Sequence, residues 1–177
     1  MGRIMAVEYL SLDGVFEEPA WTQPYFDETV GAFQGAAMRW ADALLLGRVT
    51  YDGMSVAWPA MGNDASTGGD VMNSIGKYVP TSTLTDPTWN AEFLTGDTVK
   101  EIAELKAAGK NLLIYGSGTL VESLRTAELI DEYRFLIAPI VLGEGRRLFT
   151  GGSPSRFVTT DARTAPSGML LLTLTAA

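Results

Sequence analysis

The chain has 177 residues, neither cysteine nor histidine, and a formal net charge of −8. Disulfides, thiolate nucleophiles and histidine triads are thereby excluded, and zinc would be left with carboxylates alone. The charge opposes nonspecific binding to nucleic acid or an anionic membrane, so an anionic ligand must be met by local arginines, lysines and backbone N–H groups. The length suits one domain, residues 1–177, burying roughly 70% of its unfolded surface. No signal-peptide pattern and no apolar run near ~20 residues is present, so a cytoplasmic location is expected.

Residues Arg3 to Leu12 are rich in β-formers and read as a first, interior strand ending at Ser11-Leu12-Asp13-Gly14. There Asp13 can bond backbone N–H groups ahead of it and Gly14 can take positive φ. The next loop, Val15 to Pro24, carries Phe16, Trp21, Pro19 and Pro24. That is a heavy apolar load for a connection, and it either closes over a ligand or caps the core.

Apolar residues recur at helical spacing from Phe26 to Ala43, with Asp27 and Glu28 in the first turn. These acids either complement the helix dipole or stand at a cleft mouth, where a carboxylate orients a substrate nitrogen. Ala43 to Leu46 is a second buried strand, followed by Gly47-Arg48-Val49-Thr50-Tyr51 and a helix over residues 50–58 stopped by Pro59. Arg48 thus falls at the C-terminal end of a strand, where open α/β sheets bind ligands, and is a candidate phosphate contact. Residues 60–69 read as a flexible excursion.

After a short helix near Asp70, Lys77 to Leu84 reads as a third strand, with hydroxyl donors at Thr81, Ser82 and Thr83 and Pro80 at an edge or terminal position. A brief strand is expected within residues 89–96. Thr98 to Ala108 is an amphipathic helix with Lys100 and Glu104 as an i, i+4 pair and Gly109 as its stop.

Asn111 to Tyr115 is a strand apolar enough to be buried on both faces, and Gly116-Ser117-Gly118 turns it into a helix containing Thr119, Leu120, Val121 and Leu124. Such a helix start offers phosphate unpaired N–H groups and the positive dipole end, although the glycines could serve the turn alone. A Rossmann fingerprint is disfavoured, because Val121 holds its third small position and no acid ends the next apolar run. That run, Glu132 to Leu142, leads into Gly143-Glu144-Gly145-Arg146-Arg147, whose basic pair either grips a phosphorylated substrate or is ordinary exposed surface. Phe157 to Asp161 and Met169 to Thr175, joined at Ala-Pro-Ser-Gly, form an antiparallel hairpin. Alternating strands and helices with a final hairpin imply a mostly parallel sheet with an antiparallel edge.

In order, Ser11-Leu12-Asp13-Gly14, Gly47-Arg48-x-Thr50-Tyr51, the hydroxyls at Thr81 to Thr83, Tyr115-Gly116-Ser117-Gly118 and Pro139-x-x-x-Gly143-x-Gly145 resemble the dihydrofolate reductase superfamily. The closer resemblance is to the C-terminal reductase domain of the bifunctional riboflavin-biosynthesis deaminase-reductase and its stand-alone relatives. It implies an α/β three-layer fold, with an eight-stranded, mostly parallel sheet, helices on both faces, and NADPH across the C-terminal strand ends. By that resemblance Gly47, Arg48, Thr50, Tyr51, Ser82 and Thr83 belong to the adenosine 2′-phosphate and pyrophosphate site. Gly116, Ser117, Gly118, Thr119, Leu120 and Val121 match the family's glycine pair, often joined by a cis peptide, and Phe16 falls where the first loop covers the nicotinamide. Trp21, Glu144, Arg146 and Arg147 are the substrate-side candidates.

Folate reductases carry a pterin-binding acid in the first helix. Counting from Asp13 puts that place at Thr29, and counting back from Gly47 puts it at Gly31. Asp27 and Glu28 are the acids beside it, which makes them the catalytic candidates and disfavours folate reduction itself. A zinc deaminase is not expected within these residues, which offer neither His nor Cys as ligands. The resemblance implies a reductase of the 5-amino-6-(5-phosphoribosylamino)uracil type and a homodimer. The other readings are a non-catalytic NADP-binding sensor or partner module, and a protein whose glycines serve turns only.

Overall fold

A computed structural model describes all 177 residues. Its frame is one eight-stranded sheet in the order β4-β3-β2-β5-β1-β6-β8-β7. The strands are β1 (Ile4–Leu10), β2 (Ala43–Leu45), β3 (Gly76–Pro80), β4 (Ala91–Leu94), β5 (Leu112–Tyr115), β6 (Glu132–Ile137), β7 (Phe157–Thr164) and β8 (Leu170–Ala176). The first six are parallel, and β8 runs antiparallel to both β6 and β7. The helices are α1 (Glu28–Trp40), α2 (Arg48–Met61), α3 (Gly69–Ser74), α4 (Thr98–Ala107) and α5 (Gly118–Thr126).

Side-chain alternation distributes the sheet between two cores. Met5, Val7, Leu44 and Leu113 pack with Val30, Phe33 and Ala37 of α1, Tyr51 of α2 and Met72 of α3. On the opposite face, Ile4, Ala6, Leu45, Leu112 and Ile114 pack with Ile102 of α4 and Leu120, Val121 and Leu124 of α5. Strands β2 and β5 are therefore buried along their whole length, as their unbroken apolar runs require.

Several element boundaries differ from the sequence expectations. Helix α2 does not stop at Pro59 but runs to Met61; a proline in the last turn forfeits only one N–H bond, and Gly62 at φ 79° closes the helix. The excursion that follows is pinned by Asn73, whose Nδ2 donates to Trp58 O at 3.1 Å and Gly62 O at 3.0 Å. Strand β3 ends at Pro80, between β2 and β4, so Pro80 takes a terminal place in an interior strand. Thr81 to Thr83 form a turn instead, in which Thr81 Oγ1 accepts from Thr83 N and Leu84 N at 3.2 Å. Strand β6 ends at Ile137, because Pro139 follows and the chain leaves the sheet toward the first loop. Asp27 precedes α1 as its N-cap, accepting from Val30 N at 2.9 Å.

Candidate active site

Strands β2 and β5 are parallel neighbours, so their C-terminal ends share one rim of the sheet. From that rim α2 leaves toward one face and α5 toward the other, since Tyr51 and Leu120 belong to opposite cores. The two helix starts touch through Ser117. Its hydroxyl accepts from Gly47 N at 2.8 Å and donates to Thr50 Oγ1 at 2.9 Å. A Cβ on Gly47 would stand 3.2 Å from the Ser117 side chain, so glycine is what lets the two turns close together. Gly116 and Ser117 take φ of 63° and 67°, and all peptide bonds are trans. For Ser117 that left-handed conformation is strained, as residues at functional sites often are.

First-turn N–H groups have no partner within their own helix. The earliest intrahelical acceptors are Gly47 O, taken by Tyr51 N, and Ser117 O, taken by Leu120 N and Val121 N. The amides of Arg48, Val49 and Thr50 and those of Gly118 and Thr119 therefore lie ahead of both helices at a single junction. Two positive dipole ends meet there, which makes it an anion seat within an acidic protein. Arg48 is exposed beside it, its guanidinium 2.9 Å from Asp52 one turn on.

The first loop closes over the α5 start. Asp13 does not cap its own turn. Its carboxylate accepts from Ser11 Oγ at 2.7 Å, Leu142 N at 3.1 Å and Gly143 N at 3.0 Å. Arg147 clasps it as well, donating to Asp13 O at 2.8 Å and to Oδ2 at 3.2 Å. The bonds from Ser11 Oγ, Leu142 N and Gly143 N hold the Asp13 carboxyl down at about 2. Phe16 N donates to Arg146 O at 3.1 Å and Arg146 N to Glu17 Oε1 at 2.8 Å, so loop and return segment run as a zipped pair. Phe16 is thereby laid on Gly118, where a Cβ would come within 2.5 Å of Phe16 Cζ. The Arg146 guanidinium stacks 5.5 Å from the Phe16 ring and its Nη2 lies 3.3 Å from Thr119 Oγ1. Phe16, Gly118, Thr119, Arg146 and Leu148 line a groove of about 370 Å³.

On the α1 side of the rim, Tyr9 OH donates to Gln34 Oε1 at 2.6 Å and Gln34 Nε2 donates to Tyr115 OH. Burial pushes the Tyr9 phenol up to about 12 and Tyr115 well above its ordinary value, so both are neutral hydroxyls. Between these features β1 holds Glu8, 1% exposed, its carboxyl raised far above the usual range by burial. Sequence reading passed over it, although an acid inside the run Ile4 to Leu10 was a visible signal.

The structure thus brings Phe16, Gly47, Thr50, Gly116, Ser117, Gly118 and Thr119 into one contiguous site with Arg48 at its edge. Arg146 joins this group at the α5 start, and Arg147 is spent on Asp13. Other expected contacts are turned away. Tyr51 is buried, its hydroxyl 3.1 Å from Thr88 O, and Leu120 and Val121 are buried with their N–H groups already bonded to Ser117 O. Ser82 and Thr83 lie exposed past β3, one strand beyond β2. Trp21 packs against the α1-side core with its Nε1 on Glu17 O at 3.1 Å, and Glu144 is exposed in the return segment.

The acids of the first helix are placed as follows. Asp27 accepts from Val30 N on one oxygen and Ser167 N, at 2.8 Å, on the other, and these bonds lower its carboxyl below the ordinary range. It is a charged cap, without a proton to give near neutral pH. Glu28 is exposed and faces a separate cleft of about 680 Å³ with Arg134 and Arg163. No helix is long and apolar enough to cross a membrane.

Residues 3–171 match the RibD C-terminal domain family. Over 112 residues the chain is 32% identical to YyaP, an uncharacterized protein of Bacillus subtilis; the match covers 61% of this chain and 59% of that one, less than two thirds of its length. A protein assigned to riboflavin biosynthesis in Shewanella sp. PV-4 superposes with a TM-score of 0.80 at 24% identity over 99% of both chains. A pyrimidine reductase-like protein of Corynebacterium diphtheriae gives 0.70 at 16% identity, over 99% of this chain and 92% of that one. The diaminohydroxyphosphoribosylaminopyrimidine deaminase/5-amino-6-(5-phosphoribosylamino)uracil reductase of Thermotoga maritima gives 0.70 at 12% identity, over 99% of this chain and 57% of that one. At these identities the superpositions establish a shared fold.

Proposed function

The chain belongs to the RibD C-terminal domain family, and on that premise we propose that it is an NADPH-dependent reductase. The substrate class is a small heterocycle or an imine or carbonyl compound, with the reduction of 5-amino-6-(5-phosphoribosylamino)uracil as the pattern. The observation that carries this reading is the junction at Ser117, where two helix starts and two glycine turns meet within hydrogen-bonding distance.

The residues present suit the cofactor. Unpaired amides of α2 and α5 are apt for a pyrophosphate, and Gly47 and Gly118 lie at close approaches that a side chain would obstruct. Arg48, free to turn from its exposed partner Asp52, suits a 2′-phosphate. The cofactor, when bound, supplies the hydride; the protein supplies position, charge and exclusion of water. Phe16, held by the Asp13 clamp, shields the rim, while the neutral hydroxyls of Tyr9 and Tyr115, joined through Gln34, make the α1 side of the rim polar. Arg146, at the mouth of the groove, is suited to a substrate phosphate. The same reading carries a cytoplasmic homodimer, which light scattering would test.

Calorimetric titration with NADPH and NADH tests the proposal. Preference for NADPH that disappears in Arg48→Ala supports it, and no binding of either nucleotide overturns it. Stopped-flow oxidation of bound NADPH with pyrimidine, pterin and small carbonyl substrates then separates the reductase from a module that binds without turnover.

A further inference from the structure

Glu8 lies in the middle of the rim, and nothing within the chain satisfies it. Its residue is 1% exposed and its Oε1 has no hydrogen-bond partner. Burial without a compensating charge raises the carboxyl well above its ordinary value and so favours the protonated form, in which one oxygen is an O–H donor and the other an acceptor. An unpaired buried polar group costs stability, and where a native fold retains one, a ligand or water is the usual complement.

The register gives its position. Val7 of β1 stands opposite Tyr115, the last residue of β5, so Glu8 is the first β1 residue past the end of β5 and level with Gly116. Across the rim the order is β2 with Gly47 and Arg48, then β5 with Gly116 to Gly118, then β1 with Glu8. Alternation places Glu8 on the face of Ile4, Ala6 and Leu10, which α5 covers. Neighbouring strands are about 4.8 Å apart. A dinucleotide with its 2′-phosphate toward Arg48 and its pyrophosphate at the α2 and α5 starts therefore carries its far ring past β5 and over β1. That ring bears a primary carboxamide, a donor and an acceptor side by side. A neutral carboxyl presents the complementary pair, and the two close a ring of two hydrogen bonds.

Resting on the NADPH reading above, we propose that Glu8 is the positioning residue that pairs with the carboxamide of the nicotinamide ring and fixes the ring's orientation over β1. No covalent step is involved. The pairing accounts for a buried acid with an open valence at this one place in an otherwise apolar strand.

Calorimetry with NADPH and with 2′-phospho-ADP-ribose, which lacks the nicotinamide, tests the assignment in wild type, Glu8→Gln and Glu8→Met. Met keeps the volume and removes both polar atoms; Gln keeps a donor and an acceptor. Glu8→Met is expected to weaken NADPH about tenfold, the worth of a hydrogen-bonded pair, and to leave 2′-phospho-ADP-ribose unchanged. Glu8→Gln is expected to bind NADPH within about threefold of wild type, a difference smaller than one neutral hydrogen bond. Should Glu8→Met fail to fold, the 3-acetylpyridine analogue of NADPH on wild type reads the same contact, with weaker binding than NADPH expected. Undiminished NADPH binding by Glu8→Met, equal loss of both ligands, loss in Glu8→Gln, or equal affinity for the analogue each overturns the proposal while the NADPH reading stands. Wild type that binds neither ligand overturns both.

Discussion

The Ser117 hydroxyl takes the Gly47 N–H at 2.8 Å, and this bond joins the start of a helix on one face of the sheet to the start of a helix on the other. Ser117 also holds a left-handed backbone, φ 67° and ψ 50°. These two properties act in opposite directions on substitution. Ser117→Ala keeps the strain and loses the bonds to Gly47 and Thr50, so it should cost about 1–2 kcal/mol. Ser117→Gly loses the same bonds but relieves roughly 1 kcal/mol of backbone strain. Urea unfolding should rank wild type above Gly above Ala, and both variants should bind NADPH more weakly. Wild-type stability in Ser117→Ala would remove the tie from the account of the site.

Gly118 is constrained by the ring laid on it. A Cβ there would stand 2.5 Å from Phe16 Cζ and 3.0 Å from both Cε atoms. Gly118→Ala must push Phe16 off the α5 start, at about 1–3 kcal/mol for overpacking. In a Phe16→Ala background the obstruction is gone, and the same Gly118→Ala substitution should be nearly neutral. A double-mutant cycle in unfolding free energy should therefore show coupling above about 1 kcal/mol; additive costs would mean that the two residues do not meet in solution.

Asp13 makes the first loop acid-sensitive. Its carboxyl is depressed to about 2 by hydrogen bonds led by Ser11 Oγ and Leu142 N. A group whose folded value lies below its unfolded one gives its stabilisation above the unfolded value, about 4 for aspartate. That contribution is lost as pH falls toward 2. The stability difference between wild type and Asp13→Asn should be constant at neutral pH and shrink between about pH 4 and 2, which denaturant titrations at stepped pH would follow. A constant difference through that range would show that the clamp is not ionic.

The same site shows which physical relations a sequence displays. Strands β2 and β5 were legible because burial on both faces demands unbroken apolar runs, β1 because its run is rich in β-formers, and Gly47 and Gly116 to Gly118 because a strand turning into a helix needs small residues. The partners of Asp13 were not, since Leu142, Gly143 and Arg147 lie some 130 residues away in the chain. Arg146 and Arg147 read as one basic pair, yet only the folded return segment sends one to Thr119 and the other to Asp13. Glu8 was passed over for a related reason. A single acid in a β run looks like a solvent-facing position, and only helices on both faces turn that position inward. Pro59 misled because a proline halts a helix in its interior, whereas in the final turn it costs little.

Lys77 provides a test of the fold away from the site. It is 1% exposed, its Nζ donates to Met72 O at 2.7 Å and lies 3.9 Å above the Trp89 ring, and no salt bridge reaches it. Burial lowers the ammonium to about 8. The sign follows from which form the fold disfavours. Below about pH 8 the lysine is charged in both states and the fold bears the full desolvation cost. Between about 8 and 10.5 the folded protein sheds the proton while the unfolded chain keeps it, so stability rises with pH. Lys77→Met removes the titration at nearly constant volume. The unfolding free energy of wild type minus that of Lys77→Met should thus be flat from pH 6 to about 8 and increase above it. A difference that stays flat to pH 10.5 would mean that Met72 O and Trp89 fully compensate the buried charge.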